Sequence, residues 1–212
     1  MEDKKITEQE SLDIITQMIA RTRHRLCLGD GNIMLLWGYL TVGVALLVTL
    51  LLIVTKHQAV NWLWFLIMII GGTATPHLAK KKTANAGAKT HLDTITTGIW
   101  TTVGYLSLAC ISFCLVFLLA YGKDCWTVMF MFPLLIVGMA ETIQGIVIKE
   151  RSLIVGGAVG MAAGIFTMCL LATATPLAIS WYIPLFVVSF TAMMIVPGHI
   201  CSLQYLHGRC WS

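Results

Sequence analysis

Six long apolar segments alternate with short polar connections between residues 33 and 199 of this chain. They cover residues 33–55, 59–79, 94–120, 126–148, 152–172 and 178–199. An α-helix needs about 20 mostly apolar residues to cross the hydrocarbon part of a bilayer. Each segment has that length, so the pattern predicts an all-α integral membrane protein whose six transmembrane helices form three hairpins.

The residues before the first span carry a different pattern, with apolar positions on one face of a helix. Thr7 and Glu10 have the spacing of a capping box, which starts helices. Apolar residues then recur at helical spacing: Leu12, Ile15, Ile19 and Leu26. This periodicity predicts an amphipathic cytosolic helix over residues 7–26, which we expect to end at Gly29-Asp30-Gly31.

The amphipathic helix has two interpretations. It can lie on the inner leaflet as an anchor, with basic side chains on lipid phosphates: Arg21, Arg23 and Arg25. It can instead dock a cytosolic or membrane protein partner through residues 7–26. Under either interpretation, the chain consists of a cytosolic arm (residues 1–32), a transmembrane domain (33–199) and a short cytosolic tail (200–212).

Charge predicts the orientation of the bundle. Twelve of the 14 Lys and Arg residues lie in the arm, the second and fourth connections and the tail, whereas only Lys56 and Lys123 lie in the other connections. Positive charge stays on the cytoplasmic side of a membrane. We therefore expect both termini to be cytoplasmic in a cell inner (plasma) membrane, and Cys125 to be the one cysteine facing outward.

Composition narrows the class further. The hydrophobic fraction is 58% and the charged fraction is 11%, too few charges to cover the surface of a soluble domain. The net charge of +4 fits a basic inner rim that faces anionic lipid. The lipid bilayer is the predicted partner, and no nucleic-acid partner is needed to explain the charge.

The first forty residues contain three distinctive segments: Glu10-Ser11-Leu12-Asp13-Ile14-Ile15 in the arm, the basic run from Arg21 to Arg25, and Leu35-Leu36-Trp37-Gly38-Tyr39. In these segments the chain resembles a bacterial family of small, uncharacterised six-span membrane proteins. The resemblance implies the same six-span topology. No activity, cofactor or site residue follows from it.

Glu141 is the only acidic residue inside a predicted span. A charged side chain within the bilayer costs roughly 2–3 kcal/mol or more, so such residues are functional candidates. Gln144 adds a hydrogen-bonding group one turn later. Glu141 is either a substrate, ion or proton site, or a structural carboxylate that reaches the inner interface or pairs with Lys149 or another helix.

Two spans have similar predicted inner ends, each with proline beside histidine. Pro76 precedes His77, and Pro197-Gly198 precedes His199. We expect each proline to end its helix. A cytosol-facing vestibule formed by Glu141, Gln144, His77 and His199 is one hypothesis; interfacial histidines beside ordinary helix ends are the alternative.

Span five carries Gly156, Gly160 and Gly164, two overlapping GxxxG steps that allow close helix packing. We expect a contact within the chain, with a homodimer as the alternative. Motifs for enzymes are absent from the sequence, and no cofactor or metal site is predicted. The sequence therefore favours a small transporter or permease-like protein with Glu141 as coupling or binding residue. A membrane sensor or accessory subunit that docks a partner is the alternative.

Overall fold

The computed structural model describes residues 7–84, 91–123 and 125–206, without the side chains of residues 8, 18–31, 81–84, 179 and 204–206. Its secondary structure is helical, and no strand occurs in the part of the chain described. The helices are α1 (Glu8–Thr55), α2 (Phe65–Ala84), α3 (His91–Tyr121), α4 (Val128–Ile148), α5 (Arg151–Ala172), α6 (Ile179–Phe190) and α7 (Val196–Leu206). A 3₁₀ segment (Gln58–Trp64) precedes α2, and a π-helical segment (Thr191–Ile195) joins α6 to α7.

Six helical stretches are long and apolar enough to cross a membrane, which confirms the predicted number of spans. They are Asn32–Thr55, Gln58–Lys80, His91–Tyr121, Val128–Ile148, Arg151–Ala172 and Ser180–Leu203. Their bounds follow the predicted ones closely, because uninterrupted apolar runs of this length have few other stable arrangements in lipid.

The arm and the first span form one helix. The predicted capping box is present: the Glu10 amide donates to Thr7 Oγ1 at 3.3 Å, and the Thr7 amide donates to Glu10 Oε2 at 2.9 Å. The prediction that residues 29–31 end this helix is wrong, since α1 continues to Thr55. Glycine within a helix costs only about 1 kcal/mol relative to alanine, which is too little to stop a helix that continues into an apolar span.

The prolines of the second and last spans do not end their helices, contrary to the prediction. α2 continues past Pro76 to Ala84. Pro76 leaves the Gly72 carbonyl without its helical amide donor, and the neighbouring Thr75 hydroxyl donates to the Gly71 carbonyl at 2.6 Å. Pro197 instead follows the π-helical segment, whose wider turn relieves the clash between a proline ring and the carbonyl four residues earlier.

Four of the spans supply most of the core. α1, α4, α5 and the α6–π–α7 span pack together, and α4 with α5 is the most extensive helix pair. The buried core side chains include Ala45 and Val48 on α1, Leu134 on α4, and Tyr182, Phe186, Phe190 and Met193 in the last span. Because the closest pair joins the second and third predicted hairpins, packing does not single out three separate hairpins, and that arrangement stays a prediction.

The second and third spans are peripheral. Only 6% of the most apolar part of each is buried, against 28–44% in the other four spans. α2 packs on α1, whereas α3 packs on α4. The two peripheral helices therefore pack against different neighbours, and a cleft lies between them.

Candidate functional site

Glu141 is completely buried in the middle of the bundle. Its exposed fraction is 0%, and neither carboxylate oxygen has a hydrogen-bond partner among the described residues. Among the described residues, neither structural alternative for Glu141 is found. A carboxylate that reaches the interface would be exposed, and one paired with Lys149 or with a described residue of another helix would have a partner; Lys149 is itself exposed at the end of α4.

The contact between α4 and α5 holds Glu141 in place. A Cβ atom at Gly138 would lie 2.7 Å from the Gly157 carbonyl oxygen and 2.8 Å from the Met161 amide nitrogen. A Cβ atom at Gly145 would lie 2.8 Å from the Ile154 amide nitrogen. Only glycine allows backbones to approach so closely. The two helices are thus in direct backbone contact on both sides of Glu141 along α4.

The turn between α4 and α5 reinforces this contact. Lys149 adopts the left-handed conformation (φ 57°), and the Glu150 amide donates to the Gly145 carbonyl at 2.8 Å. Glu150 then caps α5, because its carboxylate accepts from the Ser152 backbone amide at 3.4 Å; it also accepts from the Ser152 hydroxyl at 2.8 Å. Glu150 is the buried acid that the sequence reasoning missed, and it differs from Glu141 in having a bonded carboxylate.

Gln144 links the buried carboxyl region to α3. It lies one turn after Glu141 on α4, is completely buried, and accepts a hydrogen bond from the Trp100 indole at 2.7 Å. On a helix, residues three apart share a side, so Glu141 and Gln144 lie on neighbouring parts of the inner face of α4. Trp100 was not a predicted site residue, since a tryptophan inside an apolar span carries no signal of its own.

The two predicted histidines lie elsewhere. His199 is exposed on α7 and pairs with Tyr39 of α1, with 2.6 Å between the Tyr39 hydroxyl and His199 Nε2. His77 is exposed on α2. Neither is bonded to Glu141, whose oxygens have no partner in the described structure. No hydrogen bond joins Glu141, Gln144, His77 and His199 into one vestibule in the described structure, and that hypothesis stays a prediction.

The glycines of the predicted packing motif face other helices of the same chain. A Cβ atom at Gly156 would lie 3.0 Å from the Ala192 carbonyl oxygen of the π-helical segment, and one at Gly160 would overlap Met193 Sδ. A Cβ atom at Gly164 would lie 2.7 Å from the Leu135 side chain of α4. The side chains of Arg21, Arg23 and Arg25 lie outside the described part of α1, so their predicted contacts stay a prediction.

An open cleft lies between α2 and α3. Its volume is about 1490 Å³, and it is bordered by α1, α4 and α6 as well as by the two peripheral helices. Five tryptophans take part in its lining: Trp37, Trp62, Trp64, Trp100 and Trp126. Glu141 is not part of this lining, but Trp100, which bonds to Gln144, is.

Aromatic contacts close one end of the cleft. The Trp62 ring stacks on Phe65 with 5.5 Å between centroids, and Phe65 meets Trp126 of the connection before α4 edge to face at 5.8 Å. Trp37 is fixed deeper in the cleft, because its indole donates to Thr75 Oγ1 at 2.9 Å. The sequence pattern did not indicate that these aromatic side chains border one cleft.

Comparisons with protein-family models, with curated proteins and with solved structures find no match for this chain.

Proposed function

We propose that this protein is a small transporter-like membrane protein in which Glu141 is the proton-carrying coupling residue. The observation that supports this proposal is the complete burial of the Glu141 carboxyl group without a partner among the described residues. Buried polar groups are normally hydrogen-bonded, and buried charges are normally paired. A carboxyl group that is neither is a poor structural element and a good functional candidate.

The neutral form of Glu141 is the form that this environment stabilises. An ionised carboxylate taken out of water without a counter-charge costs far more free energy than a protonated carboxyl group does. A conformational change that brings water or a ligand to Glu141 would favour release of the proton. Proton binding and bundle conformation are thereby coupled, which is the requirement for a transport cycle.

The proposed connection between Glu141 and the cleft consists of a shared side of α4 and one hydrogen bond made by Gln144. Gln144 shares the inner face of α4 with Glu141, and Trp100 joins Gln144 to the cleft wall. A ligand that moves the Trp100 indole breaks or strains this bond. Ligand binding in the cleft then acts on the environment of the buried carboxyl group without touching it.

An apolar carbodiimide tests this proposal, because it modifies protonated carboxyl groups that it can reach from lipid. We would treat the protein in lipid vesicles with dicyclohexylcarbodiimide and measure the modified fraction of the peptide that contains Glu141 by mass spectrometry. The proposal predicts modification of Glu141, since the cycle exposes it transiently. Glu150, which is also buried but bonded to Ser152, serves as the matched internal control and should stay unmodified.

Resistance of Glu141 to the reagent in the folded protein, together with modification after unfolding in detergent, would contradict the proposal. It would mean that the carboxyl group is sealed permanently in the bundle. A Glu141→Gln variant establishes that the modified mass belongs to this residue.

An accessory or sensor role is the second candidate, and the arm supports it. α1 continues beyond the span without a break, and its apolar residues near the start are exposed: Leu12 (62%), Ile14 (47%) and Ile15 (52%). An exposed apolar helix face is a typical docking surface. Deletion of residues 1–28 separates the two roles: it leaves carbodiimide modification of Glu141 unchanged if the bundle alone carries the function, and alters it if the arm regulates the bundle.

A further inference from the structure

The cleft between α2 and α3 has the size and position of a binding site for a molecule dissolved in the bilayer. Its volume of about 1490 Å³ exceeds the roughly 300–1,000 Å³ of ordinary ligand pockets. The two helices that flank it are each largely unburied within the bundle, so a ligand can enter between them from lipid. Ions are strongly disfavoured in the hydrocarbon region of a membrane, and this route of entry therefore favours neutral molecules.

Aromatic side chains are concentrated in the walls of the cleft. Five of the seven tryptophans and five of the eight phenylalanines of the chain border it. Two of the tryptophan rings are held by hydrogen bonds across the bundle, Trp37 to Thr75 and Trp100 to Gln144. Fixed rings lose little conformational entropy when a ligand binds, and contacts between aromatic rings gain energy beyond the buried area. The lining therefore suits a ligand that carries aromatic rings.

One buried hydroxyl in the lining lacks a partner. Thr96 borders the cleft and is only 4% exposed, and its hydroxyl forms no hydrogen bond with the described residues. Its neighbours on α3 behave differently, because the Thr97 and Thr102 hydroxyls donate to carbonyl oxygens four residues earlier at 2.7 and 2.9 Å. A buried hydroxyl without a partner is unfavourable. Since threonine in a helix has two accessible rotamers, the Thr96 hydroxyl can turn to donate to an oxygen of a ligand in the cleft.

We propose that the cleft between α2 and α3 binds neutral, lipid-soluble molecules that carry aromatic rings and a hydrogen-bond-accepting oxygen, such as aryl ketones. The rings contact the tryptophans, and the Thr96 hydroxyl donates to the oxygen. Asp93 also borders the cleft but already has an interaction partner, so recognition assigns no role to its charge. This inference names the ligand class of the proposed transporter-like function, and only its transport aspect rests on that function. A lipid acyl chain, which has neither rings nor an oxygen acceptor, is the competing occupant.

Fluorenone and fluorene provide the test, because they share one flat three-ring skeleton and differ only in a carbonyl oxygen that replaces two hydrogens. Binding of each tritiated compound to the full-length protein in nanodiscs of zwitterionic lipid is measured by equilibrium dialysis, with empty nanodiscs subtracted to remove partition into lipid. We expect saturable binding of both compounds, since both contact the aromatic lining. Thr96→Val should weaken fluorenone binding by roughly 2- to 13-fold, the range of one neutral hydrogen bond, and leave fluorene binding unchanged.

Two further variants keep the comparison decisive. Thr96→Ser retains a hydroxyl and should bind both compounds as the wild type does. Thr73→Val is the matched control and should change neither, because the Thr73 hydroxyl is bonded to backbone carbonyls and lies outside the cleft lining.

Saturable binding of neither compound would overturn the proposal and indicate a groove for lipid acyl chains. A Thr96→Val variant that affects both compounds equally, or neither, would also overturn it, because the hydroxyl would then not recognise the ligand oxygen. Failure here with normal carbodiimide modification of Glu141 removes only the ligand class, whereas the expected fluorenone binding with an unreactive Glu141 removes only the coupling role.

Discussion

Replacement of Glu141 should leave the protein as stable as the wild type or make it more stable. Glutamine has the size of a protonated glutamate and is also neutral, so we expect Glu141→Gln to change the free energy of unfolding by less than about 1 kcal/mol. Glu141→Leu removes two buried oxygens that have no partner among the described residues. An unsatisfied buried polar group costs about 1–3 kcal/mol, so this variant should gain up to that amount.

A melting comparison in one detergent at pH 7 measures both effects. For a chain of 212 residues, about 1 kcal/mol corresponds to roughly 2–4 °C in Tm, so Glu141→Leu should melt several degrees higher. Lys149→Ala is the control, because it removes the cation that a structural pair would have used. The reasoning is refuted if either Glu141 variant loses about 3–5 kcal/mol, the cost of breaking a buried ion pair.

Three further predictions concern packing, orientation and the helix start. Gly157→Ala should destabilise the protein by about 1–3 kcal/mol in a thermal melt, because its Cβ would overlap the Gly138 carbonyl oxygen. Gly43→Ala, with open space around it, should be neutral or slightly stabilising. Equal effects of the two substitutions would show that the α4–α5 contact is looser than described. In intact cells an impermeant thiol reagent should label Cys125 and spare Cys27, and the reverse preference would overturn the orientation. The backbone and side chain of Thr7 donate hydrogen bonds to Glu10 and lower the pKa of its carboxyl group below the ordinary 4.5. These bonds therefore stabilise the helix start above pH 4.5, and the stabilisation is lost as the pH falls through the lowered pKa. Hydrogen exchange of residues 8–17 should accelerate in acid relative to a Glu10→Gln variant, and parallel exchange in both proteins would contradict this.

Much of the fold follows from the sequence, because lipid permits so few arrangements. The spans and the capping box of α1 rest on local rules: apolar length for the first, and the Thr7–Glu10 spacing for the second. Both are found in the structure. The helix ends at residues 29–31 and at Pro76 were both predicted wrongly. At residues 29–31, the cost of a glycine inside a helix, about 1 kcal/mol, is too small to stop a helix that continues into a span. Pro76 lies within a span, where lipid cannot solvate freed backbone groups.

The candidate site was only partly predictable. The sequence singled out Glu141 because an acid in a span is costly, and the structure buries it fully. The hydrogen bond between Gln144 and Trp100 depends on how α3 packs against α4. The cleft depends on the packing of α2 and α3 against two different helices, α1 and α4. Such contacts between distant segments leave no periodic signal in one sequence. The exposed His77 and His199 lie in similar local sequences, which shows that two such segments need not contact each other in the fold.

Infrared spectroscopy of the protein in lipid vesicles at pH 7 tests most directly whether Glu141 is a neutral, membrane-buried carboxyl group. The account predicts a protonated-carboxyl C=O stretch in the spectrum of the wild type that is missing from the Glu141→Gln spectrum and shifts when water is replaced by D₂O. If the difference spectrum contains only the bands of an ionised carboxylate, Glu141 is charged and paired in the membrane, and the proton-coupling role is contradicted.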